Sequence, residues 1–130
     1  MVQRTKLTPA QLEVMSLVWE QGEATVSQIW ETLRERSGVA RNTVQTTLVR
    51  LEEKGYLRHR VEGNAHVYMP TAKRDSTMRQ LLKNLANVAF HGSTAGLVMT
   101  LLEDEALTDG EIGQLMRLLK EKRAESQNRK

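Results

Sequence analysis

The chain has 130 residues, of which 39% are hydrophobic, so it can bury one core, or a smaller core together with an interface to a second copy. Its 19 basic and 16 acidic residues permit an acidic partner without requiring one, and the absence of cysteine excludes disulfides, thiol nucleophiles and cysteine-based metal sites. No apolar run reaches the roughly 18 residues of a membrane span and the N-terminus lacks the apolar segment of a secretory signal, so we expect a cytoplasmic protein without membrane insertion.

Two threonine–glutamine pairs mark the starts of the first two helices. In such a capping box the threonine caps the backbone N–H three residues on, and the glutamine caps the threonine in return. The pair Thr8–Gln11, with Pro9 at the first helical position, predicts a helix that runs to about Gln21, and the pair Thr25–Gln28 begins the second helix. The apolar positions expected to face the core are Leu12, Met15, Val18, Trp19, Ile29, Trp30 and Leu33.

A third helix is predicted over residues 41–54, and its two faces differ. The face expected to be buried holds Val44, Thr47, Leu48 and Leu51. The opposite face carries amide, hydroxyl and guanidinium groups, which suit the edges of DNA bases, and one valine, which suits a thymine methyl group. A solvated polar face on a core helix explains the same pattern equally well when this helix is considered alone. We call the exposed set the reading face: Asn42, Gln45, Thr46, Val49 and Arg50.

After Gly55, expected as a left-handed C-cap, the hydrophobic period changes from about 3.6 residues to 2, which predicts a hairpin. Gly63-Asn64 fits a two-residue turn. That turn sets the cross-strand pairs Glu62 with Ala65, Arg60 with Val67, and Arg58 with Met69. Three helices followed by a basic hairpin is the order of a winged helix, whose third helix lies in a DNA groove. The residues placed for phosphate contacts are Arg41, Thr43, Lys54, Arg58 and Arg60.

The two halves of the chain differ in charge. From residue 36 to residue 60 there are six basic and two acidic residues, whereas all five charged residues between 92 and 116 are acidic. Pro70 ends the hairpin, and a helical pattern follows it. We therefore predict a mostly α-helical chain with a small β-hairpin, in which residues 1–71 form a winged helix-turn-helix DNA-binding domain and residues 72–130 a helical dimerisation domain.

Three amphipathic helices are predicted in the C-terminal half, the last of them capped at Thr108. Three short helices over about 50 residues make a poor core on their own, so pairing with a second copy would bury the surplus apolar surface. Folding back onto the N-terminal domain in a monomer is the alternative. The residues expected at the dimer interface are Met78, Leu81, Leu82, Leu85, Val88, Leu97, Leu101, Leu102, Ile112, Leu115, Met116 and Leu119.

Three stretches of the chain resemble the penicillinase-repressor family, which also includes the methicillin-resistance and copper-responsive repressors. They are LTPAQLEVMSLVWEQGEATVSQIWETL, NTVQTTLVRLEEKGYL and HVYMPTA. The resemblance implies a homodimeric transcriptional repressor whose two winged-helix domains bind a dyad-symmetric operator in double-stranded DNA. By position it places Thr43, Gln45, Thr46 and Arg50 in the recognition helix, and Arg60 and Tyr68 in or beside the wing.

The same resemblance bears on the inducing signal. The copper-responsive members carry a cysteine-rich C-terminal motif, which this chain lacks. The antibiotic-responsive members are inactivated by proteolysis at an Asn-Phe bond in the penultimate helix, and the alignment sets Thr100-Leu101 at that place. The resemblance therefore implies a sensor protease as a partner, provided that it accepts a Thr-Leu bond, with release through loss of the dimer.

No catalytic or metal site is expected, and no cofactor. His59, His66 and His91 are the only histidines in the chain, and no third ligand lies at a suitable spacing for the first two, which are expected on the hairpin. They are interpreted as solvated wing residues or as neighbours of a DNA phosphate. The acidic run 103–105 has no neighbouring base or phosphate-binding loop, which indicates a solvated helix end. An enzyme is therefore not predicted. The competing interpretation is a winged helix used for protein–protein assembly without DNA, which the basic reading face disfavours.

Overall fold

The computed structural model describes residues 7–129, which form six helices and a three-stranded sheet. The helices are α1 (Pro9–Gln21), α2 (Val26–Ser37), α3 (Arg41–Glu53), α4 (Arg74–Ala89), α5 (Thr94–Asp104) and α6 (Asp109–Asn128). The strands are β1 (Ala24–Thr25), β2 (Leu57–Glu62) and β3 (Ala65–Pro70). The predicted fold class is confirmed, and β1 is an element that the sequence pattern did not predict.

Both predicted capping boxes begin their helices. Thr8 Oγ1 accepts a hydrogen bond from the backbone N–H of Gln11 at 3.2 Å, and Gln11 Oε1 accepts one from that of Thr8 at 3.1 Å. Thr25 and Gln28 repeat this arrangement at 3.3 and 2.9 Å. Each box satisfies two backbone donors that the first helical turn leaves unpaired, so the start of each helix is determined by local sequence.

The first three helices pack around one apolar core. α3 contributes Val44, Leu48 and Leu51, each at most 1% exposed, so one whole side of this helix is buried. The other members of the core are Val14, Met15, Leu17, Val18, Ala24, Ile29, Leu33, Tyr56, Leu57 and Tyr68. Leu12 and Thr47, both expected to be buried, are only half-buried because they lie at the edge of their helix faces.

The two tryptophans lie half-buried against this core and tie neighbouring segments to it. The indole N–H of Trp19 donates to the backbone carbonyl of Ala72 at 3.0 Å, which joins α1 to the segment after β3. The indole N–H of Trp30 donates to the carbonyl of Val39 at 3.1 Å, which joins α2 to the turn before α3. Both side chains therefore serve packing, as expected from their apolar positions.

β3 is the central strand of the sheet, and β1 and β2 each pair with it in antiparallel fashion. The register predicted for the β2–β3 hairpin, called the wing below, is confirmed at Glu62–Ala65, Arg60–Val67 and Arg58–Met69. β1 adds the pairs Ala24–Tyr68 and Thr25–Val67. The short first strand therefore holds the wing against the helices along the edge of β3 opposite to β2.

The C-terminal end of α3 is tied to α1. Lys54, the C-cap of α3, donates from Nζ to Gln11 Oε1 at 2.7 Å, the same oxygen that accepts from the backbone N–H of Thr8. Gly55 follows with a φ of 89°, the left-handed conformation expected after the helix end. One buried glutamine thus serves the start of one helix and the end of another.

The chain divides into two compact units, of which the first ends at Asn84 and the second begins at Leu85. This division falls inside α4, later than the boundary at residue 71 expected from the sequence. Within the second unit, Ser93 Oγ accepts from the backbone N–H of Gly96 at 2.9 Å at the start of α5, and α6 begins with the capping box expected at Thr108. The assignment of dimerisation to residues 72–130 stays a prediction.

Replacement of Leu48 by alanine should lower the free energy of unfolding by about 2–5 kcal/mol, because this side chain is fully buried and its loss leaves a cavity under α3. Denaturant unfolding at a fixed protein concentration measures the effect. The neighbouring Val49→Ala is the matched control: Val49 is 41% exposed, so its change should stay within about 0.5 kcal/mol. Equal losses in the two variants would contradict the buried orientation of Leu48.

Candidate nucleic-acid interface

The reading face points away from the core. All five of its side chains are exposed, whereas the opposite side of α3 is buried, so the predicted orientation of the helix is confirmed. The side chain of Arg50 makes no hydrogen bond or ion pair with any residue in the described range 7–129, which leaves its guanidinium free for a ligand. Contacts of these side chains with DNA bases stay a prediction.

Three of the five residues predicted to contact phosphates are exposed. The two arginines among them have no acidic partner within residues 7–129. Arg41 Nη2 donates to Ser27 Oγ at 3.0 Å, and this neutral partner leaves the positive charge uncompensated. Arg58 is exposed, and its side chain has no hydrogen bond or ion pair within residues 7–129. Thr43 is exposed in the first turn of α3. These residues surround the N-terminal end of α3 and the start of β2.

The other two residues predicted to contact phosphates are engaged within the protein. Lys54 is bonded to Gln11, as described above. Arg60 donates from Nη1 and Nη2 to the two carboxylate oxygens of Glu23 at 2.5 and 2.9 Å, and from Nη2 to Glu62 at 3.0 Å. Two carboxylates therefore compensate the charge of Arg60, which would have to leave them in order to reach a phosphate.

The pairing of Arg60 with Glu23 also shifts the titration of both groups. The hydrogen bond from Arg60, together with its positive charge, holds the pKa of the Glu23 carboxyl below its usual value. The hydrogen bonds to Glu23 and then Glu62 raise the pKa of the Arg60 guanidinium. Because all three side chains lie at the surface, solvent screens the pair, and its main effect is on local charge and geometry rather than on stability.

Tyr68 is the one buried residue among those predicted to contact DNA. Its side chain is 2% exposed and belongs to the core, although it also lines the groove described below, and its contact with DNA stays a prediction. Pairing with Ala24 and His59 in the sheet places it on the face that packs against the helices, since side chains alternate along a strand. Burial raises the pKa of its phenol, and the negative charge of Glu52 adds to this effect. Tyr68 supports the wing from within.

A groove separates α3 from the wing. It is lined by Arg41 and Gln45 of α3, by Ser27 of α2, and by Asn64 and His66 of the wing. Gln45 also belongs to the reading face, so the groove and the reading face form one continuous surface. Ser27 and Asn64 carry no signal in the sequence as site residues, because no local pattern shows which helix the wing will lie beside.

His59 joins the wing to the C-terminal half of α3. Its Nδ1 lies 2.7 Å from both carboxylate oxygens of Glu52. On its other side, the imidazole ring stacks on that of His66, with ring centroids 4.3 Å apart and planes inclined by 11°. Tyr68 lies beneath this pair, with its ring centroid 5.6 Å from that of His59. The contact with Glu52 thus attaches the wing to α3, and the stack links the two strands of the wing.

The helices α4 to α6 carry most of the exposed apolar surface. Of the 13 large hydrophobic side chains that are exposed within residues 7–129, 11 lie at or after Leu82. No described residue of α5 or α6 is buried. Among the predicted interface residues, Met78, Leu81, Leu97 and Leu115 are half-buried and the other eight are exposed. Thr100 and Leu101 are both exposed on α5, so their bond lies at the surface of the single chain.

The described part of the chain contains no group of three histidine, cysteine or carboxylate side chains placed to hold a metal ion. Within residues 7–129 no single helix is long and apolar enough to cross a membrane, and only the bent pair of α4 and α5 meets the length and composition of a span.

Three helices, a short antiparallel sheet, a wing and an outward-facing third helix place this protein in the winged-helix class. The model of the penicillinase repressor family matches residues 7–121, and the chain belongs to this family of transcriptional repressors, which are not enzymes. The resemblance seen in the sequence is therefore confirmed, and so is the predicted lack of an enzymatic role.

Individual relatives agree with this assignment. The chain is 30% identical over 116 residues to the penicillinase repressor of Bacillus licheniformis, covering 89% of this chain and 91% of that protein. It is 25% identical over 117 residues to the methicillin resistance regulatory protein MecI of Staphylococcus aureus (strain N315), covering 90% and 95%. The solution structure of the DNA-binding domain of the repressor BlaI aligns with a TM-score of 0.52 at 32% identity, over 57% of this chain and 90% of that one. MarR from E. coli shares the fold, with a TM-score of 0.53 at 21% identity over 88% and 76%.

The Arg60→Gln variant should return the pKa of Glu23 to the usual carboxyl range, because the charged donor that lowers it is removed. Since the pKa of Glu23 is lower in the folded protein than in the unfolded chain, the contribution of this pair to folding stability is present above the ordinary carboxyl pKa. It is lost as the pH falls through the lowered pKa. Carboxyl ¹³C titration by NMR measures the shift.

Glu111 is the internal control for this titration. Its pKa is lowered by hydrogen bonds with Thr108 at the start of α6 and should not respond to the Arg60→Gln change. An unchanged Glu23 titration in the variant would show that the ion pair does not form in solution.

Proposed function

We propose that this repressor acts as a homodimer that binds a dyad-symmetric DNA operator, with α3 of each subunit in a major groove. The observation that carries the proposal is the division of α3 into an apolar side, on which Val44, Leu48 and Leu51 are buried, and a polar, exposed reading face. The names of the relatives, a penicillinase repressor and a resistance regulator, support repression of transcription as the outcome of binding.

The chemistry of the reading face supports recognition of base edges. Asn42 and Gln45 each offer an amide, whose donor and acceptor match those of adenine, and Arg50 offers the forked donors that suit guanine. Val49 and the methyl group of Thr46 suit the methyl group of thymine. Arg41, Thr43 and Arg58 would contact the flanking phosphates and thereby set the register of the helix on the duplex.

The exposed apolar side chains of α4 to α6 support dimerisation. A chain of this size rarely leaves so many large apolar residues in solvent unless another surface covers them. A second copy is the partner that fits, since two-fold pairing is the commonest way to cover a self-complementary surface. The dimer would present two reading faces at once, and an operator with two half-sites would then bind much more tightly than either half-site alone.

Release from the operator would follow from loss of this dimer. Cleavage of the Thr100-Leu101 bond by a sensor protease would divide α5 and separate Leu101, Leu102 and α6 from the rest of the chain. The bond is exposed in the single chain, but a helical bond is a poor protease substrate until the helix opens locally. Two weak half-site binders would replace one strong dimer.

Arg50→Ala should weaken binding to DNA by about 1–3 kcal/mol without unfolding the protein, because the side chain of Arg50 is exposed and makes no hydrogen bond or ion pair within residues 7–129. The probe is a duplex selected by the protein itself from a random-sequence pool, and affinity is measured as a function of salt. Arg36→Ala, another exposed arginine but at the end of α2, is the control and should bind as tightly as the parent. Unchanged affinity in a folded Arg50→Ala protein would remove α3 from the interface.

Val88→Glu should convert the protein from a dimer to a monomer at micromolar concentration, because a charge would be buried in an apolar interface. Val88 is 69% exposed in the single chain, so the same change costs little if no partner covers it. Asn87→Glu adds the same charge at an exposed polar position about 100° around α4 from Val88, outside the apolar stripe, and should leave the dimer intact. Sedimentation analysis distinguishes these results, and a monomeric parent protein would contradict both the dimer and the symmetric operator.

Intact-mass measurement of the repressor from induced cells tests the mode of release. Cleavage at the proposed bond predicts a fragment that ends at Thr100 and another that begins at Leu101. Replacement of Leu101 by proline should block the cut, although it also bends α5. The second variant is therefore Thr100→Glu, which changes the exposed residue on the other side of the same bond. An intact chain that has nevertheless left the DNA would exclude proteolysis as the signal.

A further inference from the structure

His66 lies beside the reading face without belonging to it. It lines the groove between α3 and the wing together with Arg41, Gln45 and Ser27. If α3 lies in a major groove of DNA, the sugar–phosphate strand that borders this groove must pass between the helix and the wing beside it. A side chain that lines this space therefore faces a phosphate in the complex. This step rests on the proposed function.

The orientation of His66 is set by neighbours and not by its own hydrogen bonds. Its ring stacks on His59 at 4.3 Å with nearly parallel planes, and the ring centroid of Tyr68 lies 6.2 Å away. His59 in turn is held by both carboxylate oxygens of Glu52 at 2.7 Å. The imidazole of His66 is thus held in the groove by a stack that α3 itself anchors.

The charges around His66 come from each element that packs beside it. α3 supplies Arg41 within the groove and Glu52 behind His59, β2 supplies His59, and β3 supplies the phenol of Tyr68. Thr25 of β1 and Val26 and Ser27 of α2, which also line the groove, carry no charge. Glu52 is bonded to His59 and not to His66, so Arg41 is the charged side chain that shares the groove with His66.

We propose that His66 is a further DNA-backbone contact whose charge is supplied by proton uptake on binding. Imidazole is the side chain that gains or loses its charge between about pH 5 and pH 8. A DNA phosphate in the groove stabilises the imidazolium form, so the complex binds one more proton than the separated molecules. Affinity for DNA therefore rises as the pH falls, and the limit for one proton is tenfold per pH unit.

The test compares DNA affinity near pH 6 and pH 8 in the full-length protein, with the duplex selected from a random-sequence pool. The parent protein should bind about threefold to tenfold more tightly at the lower pH, since one proton is taken up. The slope of log affinity against log salt should also steepen by about 0.9 at the lower pH, the value for one added phosphate contact.

Three variants separate His66 from other titrating groups. His66→Gln keeps a polar side chain but removes the charge, and should bind equally at both pH values with the affinity of the parent at pH 8. His66→Lys carries a permanent charge and should bind at pH 8 as tightly as the parent does at pH 6. His91→Asn, at a residue with a φ of 51° that asparagine tolerates, is the matched control and should keep the full pH dependence.

The results that would contradict this inference differ from those that would contradict the proposed function. If the parent and His66→Gln show the same change between the two pH values, the inference is wrong and the proposed function stands. The inference is also wrong if His66→Lys, shown by thermal unfolding to be folded, binds DNA at pH 8 more weakly than the parent does at pH 6. Absence of selected DNA binding at both pH values would remove the proposed function, and this inference with it.

Discussion

The burial of one side of α3 is the constraint on which the rest of the structure depends. Val44, Leu48 and Leu51 are each at most 1% exposed, and rotation of the helix about its axis would bring them into water. At about 1.5–3 kcal/mol for each fully buried side chain, this cost fixes a single orientation. The reading face therefore points outward because of the core beneath it, and its own polar groups need no partner within the protein to stay there.

The basic residues near α3 are not equivalent, although they contribute equally to a count of charges. Arg60 is compensated by Glu23 and Glu62, whereas Arg50 and Arg58 have no acidic partner within residues 7–129. Arg41 is bonded only to a neutral hydroxyl. The positive potential available to DNA is therefore concentrated along α3 and at the start of β2, and the far side of the wing contributes less than its sequence indicates.

The C-terminal helices show why local signals do not make a stable unit. The capping contacts at Ser93 and Thr108 each contribute only about 1 kcal/mol, and an amphipathic helix gains most of its stability from packing its apolar face. No described residue of α5 or α6 is buried. In the proposed homodimer, the surface that covers these helices also sets the spacing of the two reading faces, so stability and DNA affinity depend on the same contacts.

The sequence by itself determined the helix starts, the register of the wing and the orientation of the reading face, because these depend on residues two to four positions apart. The boxes at Thr8 and Thr25 and the Gly63-Asn64 turn are such local signals. Only the tertiary structure decided the partners of Arg60, which include Glu23 at a distance of 37 residues along the chain, and the position of His66 beside α3. Both follow from the sheet order β1-β3-β2, which brings β1 and the wing together. β1 has two residues, too few to show a period of 2, so no sequence pattern could reveal the contacts that depend on it.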